Sequence, residues 1–421
     1  GALLPRYKSS DAPDYWTLRH LLTWLLVSLP AALLLALAAG DSRMAAIGPG
    51  WAIALLFGLA TPVLTYASVF FSHIPAALMI GVAWALVRDV ASPTGGLARP
   101  RAFAAGLLVG GAVLTEYPTI LLAVTVGLAV ALHPARRRAL VAFAAGSATA
   151  ALVLLAYNRA AWGEAFTTGY AFKAAVDQAE IHAQGLFGVT LPSPEGLWGV
   201  LFSARRGFLF YCPMLVTVGL GWRRLWRDER RDTAIAIGGT VAYVAFAAGF
   251  VDWQGGWSAA CRHLVPVLPL LFVPFAVGLR ALLDRPATAA LAGVLAGCSA
   301  AAALLSIAVT PYFPEQFANP LAQVAIRSLG EGIAFRNVVS DAIGVAPVAV
   351  FGALAVVILA ATTTAVAALT RGRPVRRLVL ACFLVAVAAW PAVLEITSPA
   401  TAPLTELYRL ELLRRIGAGP P

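Results

Sequence analysis

Arginine is costly to desolvate at the mouth of an apolar helix, yet this sequence places it there more than once. Leu201-Phe202-Ser203-Ala204-Arg205-Arg206-Gly207-Phe208 sets two guanidinium groups just ahead of an apolar run. Arg262-His263 opens another, after the hairpin Asp252-Trp253-Gln254-Gly255-Gly256-Trp257-Ser258. A guanidinium fork matches the oxygens of a phosphate. Arg205, Arg206 and Arg262 are therefore candidates for holding one, with lipid headgroups as the plainer anion. Near the start, Arg6, Tyr7 and Lys8 precede Asp11 and Asp14. Lys8 would join the phosphate contacts, and Asp11 or Asp14 would serve as a base that accepts a hydroxyl proton. The plainer reading is a solvated loop, with Asp14 placed well for the dipole of a helix start.

His73 ends the turn Tyr66-Ala-Ser-Val-Phe-Phe-Ser and opens a helix, as a cap, a packing residue or a substrate contact. Glu116 lies in Thr115-Glu116-Tyr117-Pro118, where proline breaks the helix. A carboxylate so near a membrane needs a cation or a donor, so Glu116 either orients a substrate or satisfies the broken ends. Tyr170 and Trp257 lie in loops where aromatic rings alternate with glycine and polar residues. Such rings suit the faces of sugars, and they also anchor at interfaces.

The elements that must position these residues follow from composition. Of 421 residues, 60% are hydrophobic and 12% charged, where a soluble domain carries about 25% charged residues. That excludes a soluble enzyme, a disordered scaffold and a secreted disulfide mini-protein. A membrane span needs about 20 apolar residues. Apolar runs fall near 18–39, 49–66, 72–88, 102–114, 117–133, 138–157, 207–223, 232–250, 263–281, 287–309, 342–369 and 376–393. The expected fold is all-α, a polytopic transmembrane helix bundle of about 12 spans with an outer cap of loops and short helices. The formal charge of +11 does not read as nucleic-acid binding, because the basic residues lie in short loops between apolar runs.

Alternate loops (40–48, 88–101, 133–138, 223–231, 280–286 and 371–377) hold 18 of the 31 Lys and Arg in 52 residues. By the positive-inside rule these loops are cytoplasmic. The long loops 158–206 and 310–341 then face outward, as does the segment before residue 18. An outward start without a signal peptide implies a further helix ahead of Gly1. Residues 1–393 form one transmembrane domain, and 394–421 an outer amphipathic tail that lies on the membrane surface. Cys212 and Cys261 fall on the same outer side, where they pack or pair. The cysteine spacing holds no metal-ligand pattern, and the sequence carries no Walker motif or zinc signature, so no cofactor is expected, with a divalent metal as the open alternative.

Taken together, these stretches resemble the bacterial GT-C superfamily of integral-membrane glycosyltransferases, in the branch related to protein mannosyltransferases. The resemblance rests on YASVFFSHIPA (66–76), VLTEYP (113–118), Tyr157-Asn158 with Gly163 to Tyr170, LFSARRGFLFYCP (201–213) and DWQGGWSAACRHLVPVLP (252–269). It implies a cell-envelope enzyme of the bacterial inner membrane. Such an enzyme moves a sugar from a polyprenyl-phosphate donor to an extracytoplasmic acceptor, with membrane lipids and membrane proteins as partners. The family's catalytic carboxylate lies early in the first outer loop. Only Asp11 and Asp14 remain near that place, and neither matches it clearly. Two other readings stay open: an inactive structural subunit of a larger membrane complex, and a transporter of lipid-linked sugars.

Overall fold

In a computed structural model, the described residues are 13–88, 99–132, 136–167, 169, 180–181, 183–335, 337–399 and 403–415. The first rod, α1, runs Pro13–Thr23, widens through a π-helical turn at Trp24–Ser28, and continues as Leu29–Ala39. There follow α2 (Gly50–Leu59), α3 (Pro62–Ala67), α4 (His73–Arg88), α5 (Arg99–Thr115), α6 (Ile120–Ala131) and α7 (Arg136–Trp162). The second half holds α8 (Pro194–Leu201), α9 (Thr217–Asp228), α10 (Arg230–Gly249), α11 (Leu268–Leu282) and α12 (Pro286–Ala308). The chain closes with α13 (Pro347–Leu369), α14 (Arg376–Thr397) and α15 (Pro403–Arg415). Among the described residues, β-structure is limited to two isolated bridges, Leu186 with Val189 and Val189 with Phe250.

The described residues form an all-helical bundle, as expected, and the structure does not establish the count of about 12 spans. Among the described residues, 7 helices are long and apolar enough to cross a bilayer. Several expected runs are split instead, for local reasons. The run 49–66 breaks at Ala60-Thr61-Pro62, where the Thr61 hydroxyl accepts the Val63 N–H and caps α3. The run 207–223 breaks at Cys212-Pro213, because proline brings no amide hydrogen to continue the helix.

Helix pairing inside a membrane depends on close backbone approach at small residues. Gly106 and Gly110 of α5 face Phe143, Ser147 and Ala150 of α7, and a Cβ on Gly106 would collide with the Phe143 carbonyl. Gly146 meets the Phe103 carbonyl from the other side. Gly293 and Gly297 of α12 repeat the arrangement against Val379 and Phe383 of α14. Across the fold, Ser28 Oγ donates to the Ala67 carbonyl at 2.7 Å, tying the π turn of α1 to α3.

At the arginine-rich end, Glu229 bridges Arg43 (3.1 Å) and Arg88 (2.8 Å). Asp284 there faces Arg280, Arg224 and Arg373. Burial raises the Glu229 carboxyl above its ordinary range even though Arg43 opposes the shift. The tail helix α15 packs on the protein rather than lying apart from it. Arg409 is buried and contacts Glu406, Glu331 and Ser328. Cys212 and Cys261 are both free and buried, so the pairing alternative does not hold here.

Candidate functional site

Four separate segments bring their polar residues together. His73 begins α4, and Glu116 follows α5 in an extended conformation (φ −155°) that turns its side chain back toward α4. His73 Nδ1 and Glu116 Oε2 lie 2.6 Å apart, with side chains only 8% and 9% exposed. The carboxylate fixes the imidazole's orientation, which leaves Nε2 as the nitrogen free to exchange a proton or contact a ligand. Tyr66 and Phe71 flank the ring, each with its centroid 5.7 Å away. The Tyr66 hydroxyl donates to the Ala259 carbonyl at 2.6 Å, which joins this turn to the 252–263 segment.

That segment supplies the cations. Gly255 and Gly256 both adopt left-handed backbone (φ 69° and 59°), which residues with a Cβ rarely take. A Cβ on Gly255 would press against Arg262 Nε and His263 Nε2, so the turn lets these side chains close over it. The Arg262 guanidinium lies over the Phe71 ring at 5.5 Å. The His263 ring is 6.4 Å from that of His73 and 5.4 Å from Phe250. From the loop after α12, Tyr312 packs edge-on against Phe71 and accepts a hydrogen bond from Arg19 Nη2 at 3.0 Å.

Three buried polar atoms here lack a protein partner: Arg262 Nε, His263 Nε2 and the Tyr243 hydroxyl. Buried polar groups are nearly always hydrogen-bonded, so this orphaned set suits an ordered water or the oxygen of a ligand. Asp252 stands beside them. Burial raises its carboxyl above the ordinary 3.8, while Arg262, a Gly256 N–H and Arg206 oppose the rise and Glu315 adds to it. A carboxylate whose pKa is moved toward neutrality is a better proton acceptor at working pH.

Arg206 has a different task from the phosphate contact expected of it. It is fully buried, and four of its five N–H groups donate to backbone carbonyls. The acceptors are Gln254 (2.9 Å), Arg205 (2.9 Å), Gly256 (3.0 Å) and Phe313 (2.7 Å). It therefore clamps the 252–258 hairpin to the loop at 313. The Phe313 carbonyl also receives the Ser258 N–H at 3.1 Å. Burial pulls the Arg206 pKa down from its ordinary value. Arg205 contributes its carbonyl to this clamp, and its side chain is half-buried.

His73, Glu116 and Arg262 are thus brought together from positions far apart in sequence. Trp257 lies on the rim of the same hairpin, 40% exposed. Lys8, Asp11 and Tyr170 lie outside the described residues; Asp14 falls in the first turn of α1, and its side chain is outside them too. Asp252, His263 and Tyr243 were not singled out from the sequence as site residues. Asp252 opens the DWQGG turn, and its double glycine was the one available signal. Tyr243 is hidden inside an apolar run, where no spacing distinguishes it. Among the described residues, no group of three or more His, Cys, Asp or Glu is arranged to hold a metal ion.

No protein-family model matches this chain, and no curated protein matches it.

Proposed function

We propose that this chain is an integral-membrane glycosyltransferase that moves a sugar from a polyprenyl-phosphate donor to an acceptor hydroxyl. The observation that supports it is the set of orphaned buried donors, Arg262 Nε and the Tyr243 hydroxyl among them, around the His73–Glu116 dyad. Donors without acceptors suit an oxygen-rich ligand such as a phosphate sugar. The site's loops are poor in arginine, so on the positive-inside rule its face is extracytoplasmic, in a multi-pass protein of a bacterial inner membrane.

In this reading Arg262 meets the donor phosphate and stabilises the charge that grows on it as the sugar leaves. Asp252 accepts the acceptor's proton as the new C–O bond forms and the bond from sugar to phosphate breaks. His73, oriented by Glu116, hydrogen-bonds the sugar or phosphate oxygens. Arg206 positions the hairpin that carries Asp252.

The test uses the full chain in lipid nanodiscs, with undecaprenyl phosphate as the binding probe and an undecaprenyl-phosphate hexose as donor. Arg262→Gln is expected to weaken binding of the probe at least tenfold. Asp252→Asn should retain binding and lose transfer, whereas Asp11→Asn and Asp14→Asn should leave transfer intact. No binding of the probe by the parent protein would end this reading. Loss of transfer only in the variants at 11 or 14 would move the base there.

A further inference from the structure

The arginine-rich end holds a second site, which the transfer reaction does not use. A cavity of about 160 Å³ opens there between α1, α4 and α11. Leu34, Phe57 and Phe272 form part of its apolar wall, and Arg43, Arg88 and Trp84 also line it. The two arginines are not equivalent. Arg43 is engaged by Asp41 through Nε (2.9 Å) and Nη2 (2.7 Å), and by Glu229 through Nη1 (3.1 Å). Arg88 gives one N–H to Glu229 at 2.8 Å and lies 5.5 Å over the Trp84 ring. Among the described residues its other N–H groups have no protein acceptor.

Trp84 adds an independent sign. It is 4% exposed, and its indole Nε1–H is buried without a hydrogen-bond partner. An indole nitrogen can only donate, and so can a guanidinium. Trp84 and Arg88 both line the cavity, and each carries an N–H without an acceptor among the described residues, which suits a group that only accepts. The apolar wall calls for hydrocarbon beside it. A cavity near 150 Å³ holds a benzene-sized apolar body, so this one takes only the first few carbons of a chain. The rest of the chain would lie in the bilayer along α1, whose Leu33 and Leu29 are exposed.

We infer that this cavity binds the phosphodiester of a phospholipid from the leaflet at the arginine-rich end, with the start of one acyl chain against Phe57 and Phe272. Arg88 and the Trp84 indole donate to the phosphate oxygens. Glu229 holds Arg88 in place from the opposite side, and Arg43 keeps Glu229 from drifting by sharing its carboxylate. The lipid thereby stands where loops 40–48 and 223–231 meet.

Native mass spectrometry of the delipidated full chain tests this with three probes: phosphatidylglycerol, diacylglycerol and glycerol 3-phosphate. Phosphatidylglycerol is expected to bind at least tenfold more tightly than diacylglycerol, and millimolar glycerol 3-phosphate should not displace it. Arg88→Gln should weaken phosphatidylglycerol about tenfold. Trp84→Phe keeps the ring and loses only the N–H, and should weaken it about fivefold. Helical circular dichroism confirms that each variant is folded, and Trp84→Phe decides the matter if Arg88→Gln does not fold. Equal binding of diacylglycerol, displacement by glycerol 3-phosphate, or unchanged affinity in folded variants would each overturn the proposal.

Discussion

His73 Nδ1 and Glu116 Oε2 stand 2.6 Å apart although 43 residues separate them in the chain. Their contact joins the start of α4 to the break after α5. A buried acid–base pair of this kind is strongly damaged by loss of one partner, since the other is left uncompensated. Glu116→Gln keeps the shape and a hydrogen bond but removes the charge. It should lower transfer about tenfold while the melting temperature in detergent moves little. His73→Ala should lower both. Transfer by Glu116→Gln at the parent rate would show that the pair only caps broken helices.

Asp252 gives a pH dependence with a defined sign. Its carboxyl is raised above 3.8, mainly by burial, so it protonates at a higher pH than an exposed aspartate. A base must be ionised to act, so the transfer rate should fall as pH drops through that raised value. Arg262 opposes the rise. Arg262→Gln should therefore move the acid limb of the profile upward. A limb that stays in place would mean that another group sets it.

Arg206 is a test of positioning as against ligand contact. Removing it takes the guanidinium donors from the Gln254, Gly256 and Phe313 carbonyls, of which Phe313 keeps the Ser258 N–H. Arg206→Met should destabilise the protein by about 3 kcal/mol or more. Arg206→Lys should rescue little of this, because an ammonium cannot span the same four acceptors. Thermal unfolding in nanodiscs reads both effects. A variant as stable as the parent, with only donor binding lost, would return Arg206 to the phosphate.

The contacts of α15 should weaken in acid. Hydrogen bonding to Arg409 lowers the Glu406 carboxyl below its ordinary 4.5. A group depressed in the folded state stabilises it above the unfolded value, and that stability is lost as pH falls through the folded value. Hydrogen exchange across 403–415 should therefore speed up only once pH drops below about 4.5. Arg409→Gln should show the fast exchange at neutral pH.

Glycine at the α5–α7 contact gives the fifth test. Gly106→Leu would drive a side chain into the Phe143 carbonyl. Overpacking of this kind costs about 1–3 kcal/mol, seen as a lower unfolding temperature. Gly219→Leu is the control, because nothing lies within 4 Å of a Cβ built there.

The helical membrane character was legible in composition, since a chain with 12% charged residues cannot clothe a soluble surface. His73, Glu116 and Arg262 were visible as polar residues where apolar runs begin or break. What the sequence did not contain was their pairing. That depends on which helices lie side by side, and glycine contacts such as Gly106 with Phe143 settle this only in three dimensions. Likewise, nothing in the Arg205-Arg206 dipeptide says which guanidinium turns inward. The fold decides it, because the carbonyls of Gln254, Gly256 and Phe313 converge on one point and only Arg206 reaches them. Span count followed the same division: hydropathy marks where apolar residues run, but Pro62 and Pro213 break the helices within those runs.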